Sequence, residues 1–275
     1  MTLVQAAILG VVEGLTEFLP VSSTGHLILA AHAMGLVGEA MKDFEIVIQA
    51  GALLAVVWLY RGRIVEALGG AFHPGSRGRK LLLQLLVAFL PAAIVGLLLH
   101  HAIEEHLFRP FPVAAALFVG GAAMVLFEAW RRRRREPPAI SSVEEIPIGT
   151  AFLIGLFQCL SLWPGVSRAM VTLLAALLFG CTAVVAAEFS FLLALPTLGA
   201  ATLFDLVKSR DTLLGGALGP APILVGLAVA AIVAALAIRT FLRYLARRGL
   251  APFGWYRMAL AALLLVVLWR QGTLR

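Results

Sequence analysis

The stretch Gly10-Val11-Val12-Glu13-Gly14-Leu15-Thr16-Glu17-Phe18-Leu19-Pro20-Val21-Ser22-Ser23-Thr24-Gly25-His26 decides how this chain is read. It starts as an apolar helix, carries two carboxylates one turn apart on one face, and breaks at a proline before a run of hydroxyls and an imidazole. An ionised carboxylate at the centre of a bilayer costs roughly 2.5–3.5 kcal/mol on insertion scales, and a second one beside it adds repulsion. The plain reading is a wet helix end at the interface. The functional reading is a divalent metal held by Glu13 and Glu17, or an acid/base group working next to a phosphate.

The setting is a membrane. Of the 275 residues 61% are hydrophobic, the mean hydropathy is +0.97 and only 13% are charged, where a soluble domain carries about 25%. Six segments are long and apolar enough to span a bilayer as helices, at 44–60, 81–99, 112–130, 186–206, 221–240 and 252–270. Four further apolar pieces, 3–19 with 25–36 and 149–163 with 169–180, are too short or too interrupted, and each pair reads as a re-entrant helical hairpin. The fold expected is an all-α integral membrane protein, one membrane domain over 1–275, with six transmembrane helices plus two re-entrant hairpins. The start, Met1-Thr2-Leu3-Val4-Gln5, has no Lys or Arg before its apolar run and is expected to belong to the mature fold. Cys159 and Cys181 stand singly in apolar stretches and read as packing residues.

The formal charge of +7 raises nucleic acid as a partner, but most basic residues fill the gaps between apolar runs, the pattern of topology anchors and acidic lipid headgroups. Six crossings put fifteen Lys and Arg on one side: Arg61, Arg63, Arg77, Arg79, Lys80, Arg131 to Arg135, Arg239, Arg243, Arg247, Arg248 and Arg257. Six fall on the other, Lys42, Arg109, Lys208, Arg210, Arg270 and Arg275. The richer side is expected to be cytoplasmic, so both termini and the mouth of the first hairpin face outward.

The halves of the chain resemble each other. Gly10 set against Gly155 aligns Glu13 with Gln158 and Leu15 with Leu160, a one-residue shift then matches Pro20 with Pro164 and Ser23 with Ser167, and Phe44 falls opposite Phe189. Three crossings per half make the second copy inverted, with a first repeat over 1–130, a cytoplasmic linker over 131–146 and a second repeat over 147–275. In such inverted-topology repeats the site lies near the midplane between broken helices. It is expected where the tips Pro20–His26 and Pro164–Thr172 meet.

At the first tip, Ser22, Ser23 and Thr24 can cap the following helix, and the same helix start attracts anions through its free N–H groups. Ser23 or Ser22 would be phosphate ligand or nucleophile, and His26 a general base or acid. The second tip, Trp163-Pro164-Gly165-Val166-Ser167-Arg168-Ala169-Met170-Val171-Thr172, adds a positive charge that is either a structural salt bridge or a bidentate phosphate ligand. Other polar groups read more plainly: His100, His101, Glu104, Glu105 and His106 as a solvated outer loop, Glu45 and Gln49 as cavity-lining residues.

These motifs, together with Glu188-Phe189-Ser190-Phe191-Leu192-Leu193-Ala194, closely resemble the undecaprenyl-diphosphate phosphatases, the bacitracin-resistance family, and the resemblance runs essentially end to end. It implies a bacterial inner-membrane enzyme that hydrolyses a C55 polyprenyl diphosphate to the monophosphate for cell-wall synthesis, opening to the periplasmic or extracellular side. It implies a divalent cation, Mg2+ or Ca2+, on Glu13 and Glu17. It also implies catalytic Glu17, Ser23, His26 and Arg168, with the phosphates on Ser22, Thr24, Ser167, Arg168 and Thr172. The nucleophile stays open between Ser23 and His26. Many members of the family have Ser-Gly after the arginine, where this chain has Ala169-Met170. The lipid substrate and membrane lipids are the expected partners, nucleic acid is not, and a homo-oligomer is allowed. A second phosphatase superfamily uses a histidine downstream of such an arginine, and here none of the six histidines follows Arg168. A transporter or flippase of lipid-linked phosphate is the competing reading.

Overall fold

The computed structural model describes residues 1–36, 38–107, 109–133, 138–208 and 218–270, and every regular element among them is helical. The α-helices run α1 Leu3–Thr16, α2 Ser23–Ala33, α3 Glu39–Leu59, α4 Arg61–Gly70, α5 Arg77–Leu107, α6 Pro110–Arg133, α7 Ile148–Gln158, α8 Arg168–Leu178, α9 Ala183–Lys208, α10 Pro220–Leu245 and α11 Ala251–Arg270. The charged positions Arg134, Arg135, Arg210 and Arg275 lie outside the described residues.

Five helices, α5, α6, α9, α10 and α11, are long and apolar enough to cross a bilayer, and α3 makes a sixth if it is counted with α4, from which it is bent by 76°. The chain is a multi-pass integral membrane protein. The segment after the first span, one of the basic gaps between apolar runs, forms the helix α4. The chain turns at Tyr60, which leaves helical geometry at φ −107° and ψ 17°. Arg61, Arg63 and Glu66 then make α4 too charged to continue the span, while Val65 and Leu68 stay exposed along it. The stretch expected as a solvated loop around His100 and His101 is helical too, because α5 continues to Leu107.

Packing is reciprocal between the halves. α1 lies mainly on α10 and α7 mainly on α5, while α3 packs on α10, α9 on α5, α3 on α9 and α6 on α11. Small residues permit the close approach. A Cβ on Gly10 would stand 2.7 Å from the Gly226 carbonyl oxygen, and one on Gly14 2.6 Å from that of Ala230. Gly155 meets the backbone of Ala88 in the same way at the α7–α5 contact.

The two tips share an unusual backbone. Ser22, just before α2, has φ 70° and ψ 102°, and Ser167, just before α8, has φ 73° and ψ 110°; among the described residues no other non-glycine has positive φ. Such conformations cost on the order of 1–3 kcal/mol each and persist where the surroundings enforce them. They also correct the sequence register. Ser22 and Ser167 are separated as Gly10 and Gly155 are, so no one-residue shift occurs: Pro20 corresponds to Gly165, and Ser23 to Arg168.

Between the halves, α6 extends to Arg133, and the segment before α7 is packed down rather than loose. Val143 and Ile146 are fully buried, and the amide of Gln84 donates to both their carbonyls at 3.1 and 2.6 Å. Ser142 and Glu145 cap the short turn reciprocally. Hydrogen bonds from Ser141 and Ser142 hold the exposed Glu145 carboxyl below the usual carboxylate range.

Candidate active site

Glu17 sits in the turn that ends α1, held there by Phe18, whose ring is fully buried edge-on against Phe191 at 5.7 Å. Its two oxygens take two partners from opposite halves of the chain. Oε2 accepts a 2.6 Å hydrogen bond from Ser23 Oγ, and Oε1 is paired at 3.1 Å with Arg168 Nη2. Ser23 and Arg168 are the first residues of α2 and α8, each directly after a serine with positive φ, so one carboxylate bridges the starts of both helices.

The ion pair is nearly dry, with side-chain exposures of 9% for Glu17 and 7% for Arg168. The second tip holds its arginine firmly. Nη1 donates to the Ser190 carbonyl at 3.0 Å, and the guanidinium carbon lies 5.6 Å from the centre of the Phe18 ring. Thr172 donates to the Arg168 carbonyl at 2.8 Å and is 2.7 Å from the Ser190 hydroxyl. Nε of Arg168 is buried without a hydrogen-bond partner, so the guanidinium has donor capacity that the protein does not use.

Ser22 is buried and uses its carbonyl, which accepts from His26 Nδ1 at 2.7 Å. That bond places a proton on Nδ1, and in the neutral ring Nε2 then accepts from the Tyr256 hydroxyl at 2.7 Å. The two rings stack at 5.5 Å with 12° between their planes. The Ser167 hydroxyl accepts from Met170 N at 3.3 Å and so caps α8, while Thr24 is half-buried in the first turn of α2.

Glu13 is 2% exposed, and its Oε2 has no hydrogen-bond partner. Its charged neighbours are Glu17, Glu45 and Arg168. Among the described residues no three His, Cys, Asp or Glu side chains gather as a metal-binding group. Two carboxylates, one with a free oxygen, nonetheless suit Mg2+, which keeps waters and draws further ligands from substrate phosphates.

The structure thus brings Glu13, Glu17, Ser22, Ser23, His26, Ser167, Arg168 and Thr172 around one junction of the two tips. Sequence reasoning missed two residues there, both from α11. Tyr256 holds His26, and Arg257, counted above as a cytoplasmic anchor, is fully buried. Arg257 belongs instead to the junction, and the charge asymmetry across the membrane survives its removal from the count. The overlooked signal is its place in the second turn of an apolar helix, where an anchor would sit at the end.

Residues 6–263 match the family described as Bacitracin resistance protein BacA. A protein of Sorangium cellulosum named undecaprenyl-diphosphatase is 56% identical over 261 residues, covering 95% of this chain and 85% of its own length. Undecaprenyl-diphosphatase 2 of Rhodospirillum rubrum is 45% identical over 268 residues, covering 97% and 95%. The undecaprenyl-diphosphatase of Caldanaerobacter subterraneus is 44% identical over 266 residues, covering 97% and 96%. With the match running nearly end to end and taking in both tips, the chain belongs to the bacitracin resistance protein BacA family.

Proposed function

We propose that this protein hydrolyses undecaprenyl diphosphate to undecaprenyl phosphate and inorganic phosphate, recycling the lipid carrier for cell-wall synthesis. The observation that carries the reading is the 2.6 Å contact between Ser23 Oγ and Glu17, a nucleophile and base within one hydrogen bond, beside a buried arginine with an uncommitted donor. Ser23 is the better nucleophile because both His26 nitrogens are engaged, one by the Ser22 carbonyl and the other by Tyr256.

The reaction follows from these contacts. Entering phosphate competes with Glu17 for Arg168, and the guanidinium fork matches a pair of phosphate oxygens. Glu17, released from the ion pair, takes the Ser23 proton as Oγ attacks the distal phosphorus. The bond to the bridging oxygen breaks, and undecaprenyl phosphate leaves with that oxygen. Glu17 passes the Ser23 proton to the departing undecaprenyl phosphate and is a carboxylate again; it then takes a proton from the water that opens the phosphoserine and returns it to Ser23 as inorganic phosphate departs. A divalent cation bound through Glu13 and Glu17 would neutralise charge on the diphosphate. The ordered positions of Arg168 and Ser23 lower the barrier mainly through alignment and charge.

In the reading that fits this chemistry, the helices form two inverted repeats, α1 to α6 and α7 to α11, whose re-entrant tips meet within the inner membrane. The site opens to the periplasmic or extracellular side. The reciprocal packing of α1 on α10 and α7 on α5 supports the repeat and also favours a second reading, movement of the lipid across the bilayer. Purified protein in detergent, where no transport can occur, separates the two. Release of phosphate from undecaprenyl diphosphate by the parent, and its loss in Ser23→Ala, is expected; intact substrate with the parent rejects the hydrolase reading.

A further inference from the structure

Among the described residues Arg257 is the largest fully buried side chain, and its hydrogen bonds there go to backbone carbonyls. Nε donates to Leu117 at 3.4 Å and Nη2 to Ala116 at 3.2 Å, both on α6. The remaining bonds leave the α6–α11 pair altogether. Nη1 reaches the Pro20 carbonyl at 3.3 Å and Nη2 the Gly165 carbonyl at 2.9 Å. Pro20 and Gly165 are equivalent positions of the two tips in the register set by Ser22 and Ser167, and each lies three residues before the Ser23 or Arg168 that Glu17 joins.

A buried guanidinium without a carboxylate is expensive, since its desolvation is offset only by carbonyl dipoles. A helix fixed solely to α6 has no need of one. Five donors in a rigid planar fork suit a task that an ammonium cannot perform, holding several carbonyls from separate segments in fixed relative positions.

We propose that Arg257 is a positioning residue for the hydrolysis: it clamps the two tips at their turns and so sets the separation between the Ser23 and Arg168 halves of the site. The proposal rests on the hydrolase reading above. Glu17 ties the tips together from one side through groups that the substrate must displace, whereas Arg257 ties them through carbonyls that the substrate leaves alone. The alignment therefore survives when phosphate breaks the Glu17–Arg168 pair.

Two variants reach the clamp by different routes. Arg257→Lys keeps the charge and loses the fork. Gly120→Ala leaves the arginine in place, but its new Cβ would overlap Arg257 Nη2, the atom bonded to Gly165 and Ala116. Misplacement of reacting groups by about 1 Å can lower turnover by roughly 100-fold. For Arg257→Lys a fall of that order in kcat is expected with KM changed by less than about threefold, because the phosphate ligands themselves remain. Gly120→Ala is expected to act in the same direction and to add nothing in the Arg257→Lys background.

The second measurement is independent of turnover. Spin labels at Leu15 and Leu160, exposed positions shortly before each tip, report the separation of the two hairpins. A single narrow distance is expected in the parent and a broadened or shifted one in both variants. A kcat within threefold of the parent, multiplying effects of the two substitutions, or an unchanged distance in a variant overturns the clamp. If Arg257→Lys does not fold, Gly120→Ala alone decides by the same two measurements. If the parent releases no phosphate, the hydrolase reading fails and the clamp stands or falls on the distances.

Discussion

At the residue scale the junction is organised by pairs that are stable only because each member has a partner. Glu17→Gln would keep a hydrogen bond to Ser23 yet deprive the buried Arg168 of its ion-pair partner, and breaking a buried pair in this way costs about 3–5 kcal/mol. The variant is expected to lose at least roughly 100-fold in kcat, the contribution typical of a positioned base. It should also melt at lower temperature. Added inorganic phosphate should raise its melting temperature more than that of the parent, because in the variant the anion no longer competes with a carboxylate for the guanidinium; equal shifts in a calorimetric titration would count against phosphate binding by Arg168. Arg168→Lys is the complementary change. An ammonium can replace the contact to Glu17 or that to the Ser190 carbonyl, but not both in the fork geometry, and turnover is expected to fall on the order of 1,000-fold with expression retained. A lysine variant that hydrolyses lipid diphosphate near the parent rate would make Arg168 a structural counter-ion.

At the element scale the short helices α1 and α7 depend on glycine. Residues at Gly14 and Gly155 face backbone of α10 and α5, which cannot swing aside as a flexible side chain would. Gly14→Leu is therefore expected to prevent α1 from docking, lowering the monodisperse fraction in detergent sharply, while Val11→Leu on the exposed face leaves it unchanged. Normal yield of Gly14→Leu would show that α1 is held by its tip alone. The broken character of the α1 run was readable in the sequence, since it carries two glutamates and is cut by Pro20, but the glycine contacts were not. The helix α4 was not, because a run such as Arg61 to Gly70 mixes charge and apolar residues without deciding between loop and interfacial helix. Nor was the register of the tips. Matching like with like aligned Ser23 with Ser167, whereas the backbone aligns the residues with positive φ, a property that side-chain identity did not reveal. Arg257 was hidden for a related reason: loop arginines and buried arginines look alike until the carbonyls around them are seen.

At the scale of the whole molecule, charge predicts which way the site faces, and it acts through insertion rather than through folding. Lys and Arg within about 15–20 residues of the spans are retained on the cytoplasmic side. The run beginning at Arg131 closes α6, Arg243 lies in the last turn of α10, and Arg77, Arg79 and Lys80 open α5, so three long helices place basic residues at one membrane face. On that rule the opposite end of α5, near Ile103, is expected to lie outside, with the mouth of the first hairpin beside it. A single cysteine at Ile103, in a chain whose Cys159 and Cys181 have been replaced by alanine, is expected to react with a membrane-impermeant maleimide in intact cells. A cysteine at Gly75, in the turn between α4 and α5, should react only after the membrane is opened. Because the two positions lie at opposite ends of α5, one just before it and one near its C-terminus, the reagent cannot label both from one side unless α5 fails to cross. Labelling of Gly75→Cys in intact cells with Ile103→Cys protected would invert the molecule, turn the first hairpin toward the cytoplasm, and put Glu17 and Ser23 within reach of the diphosphate only from inside.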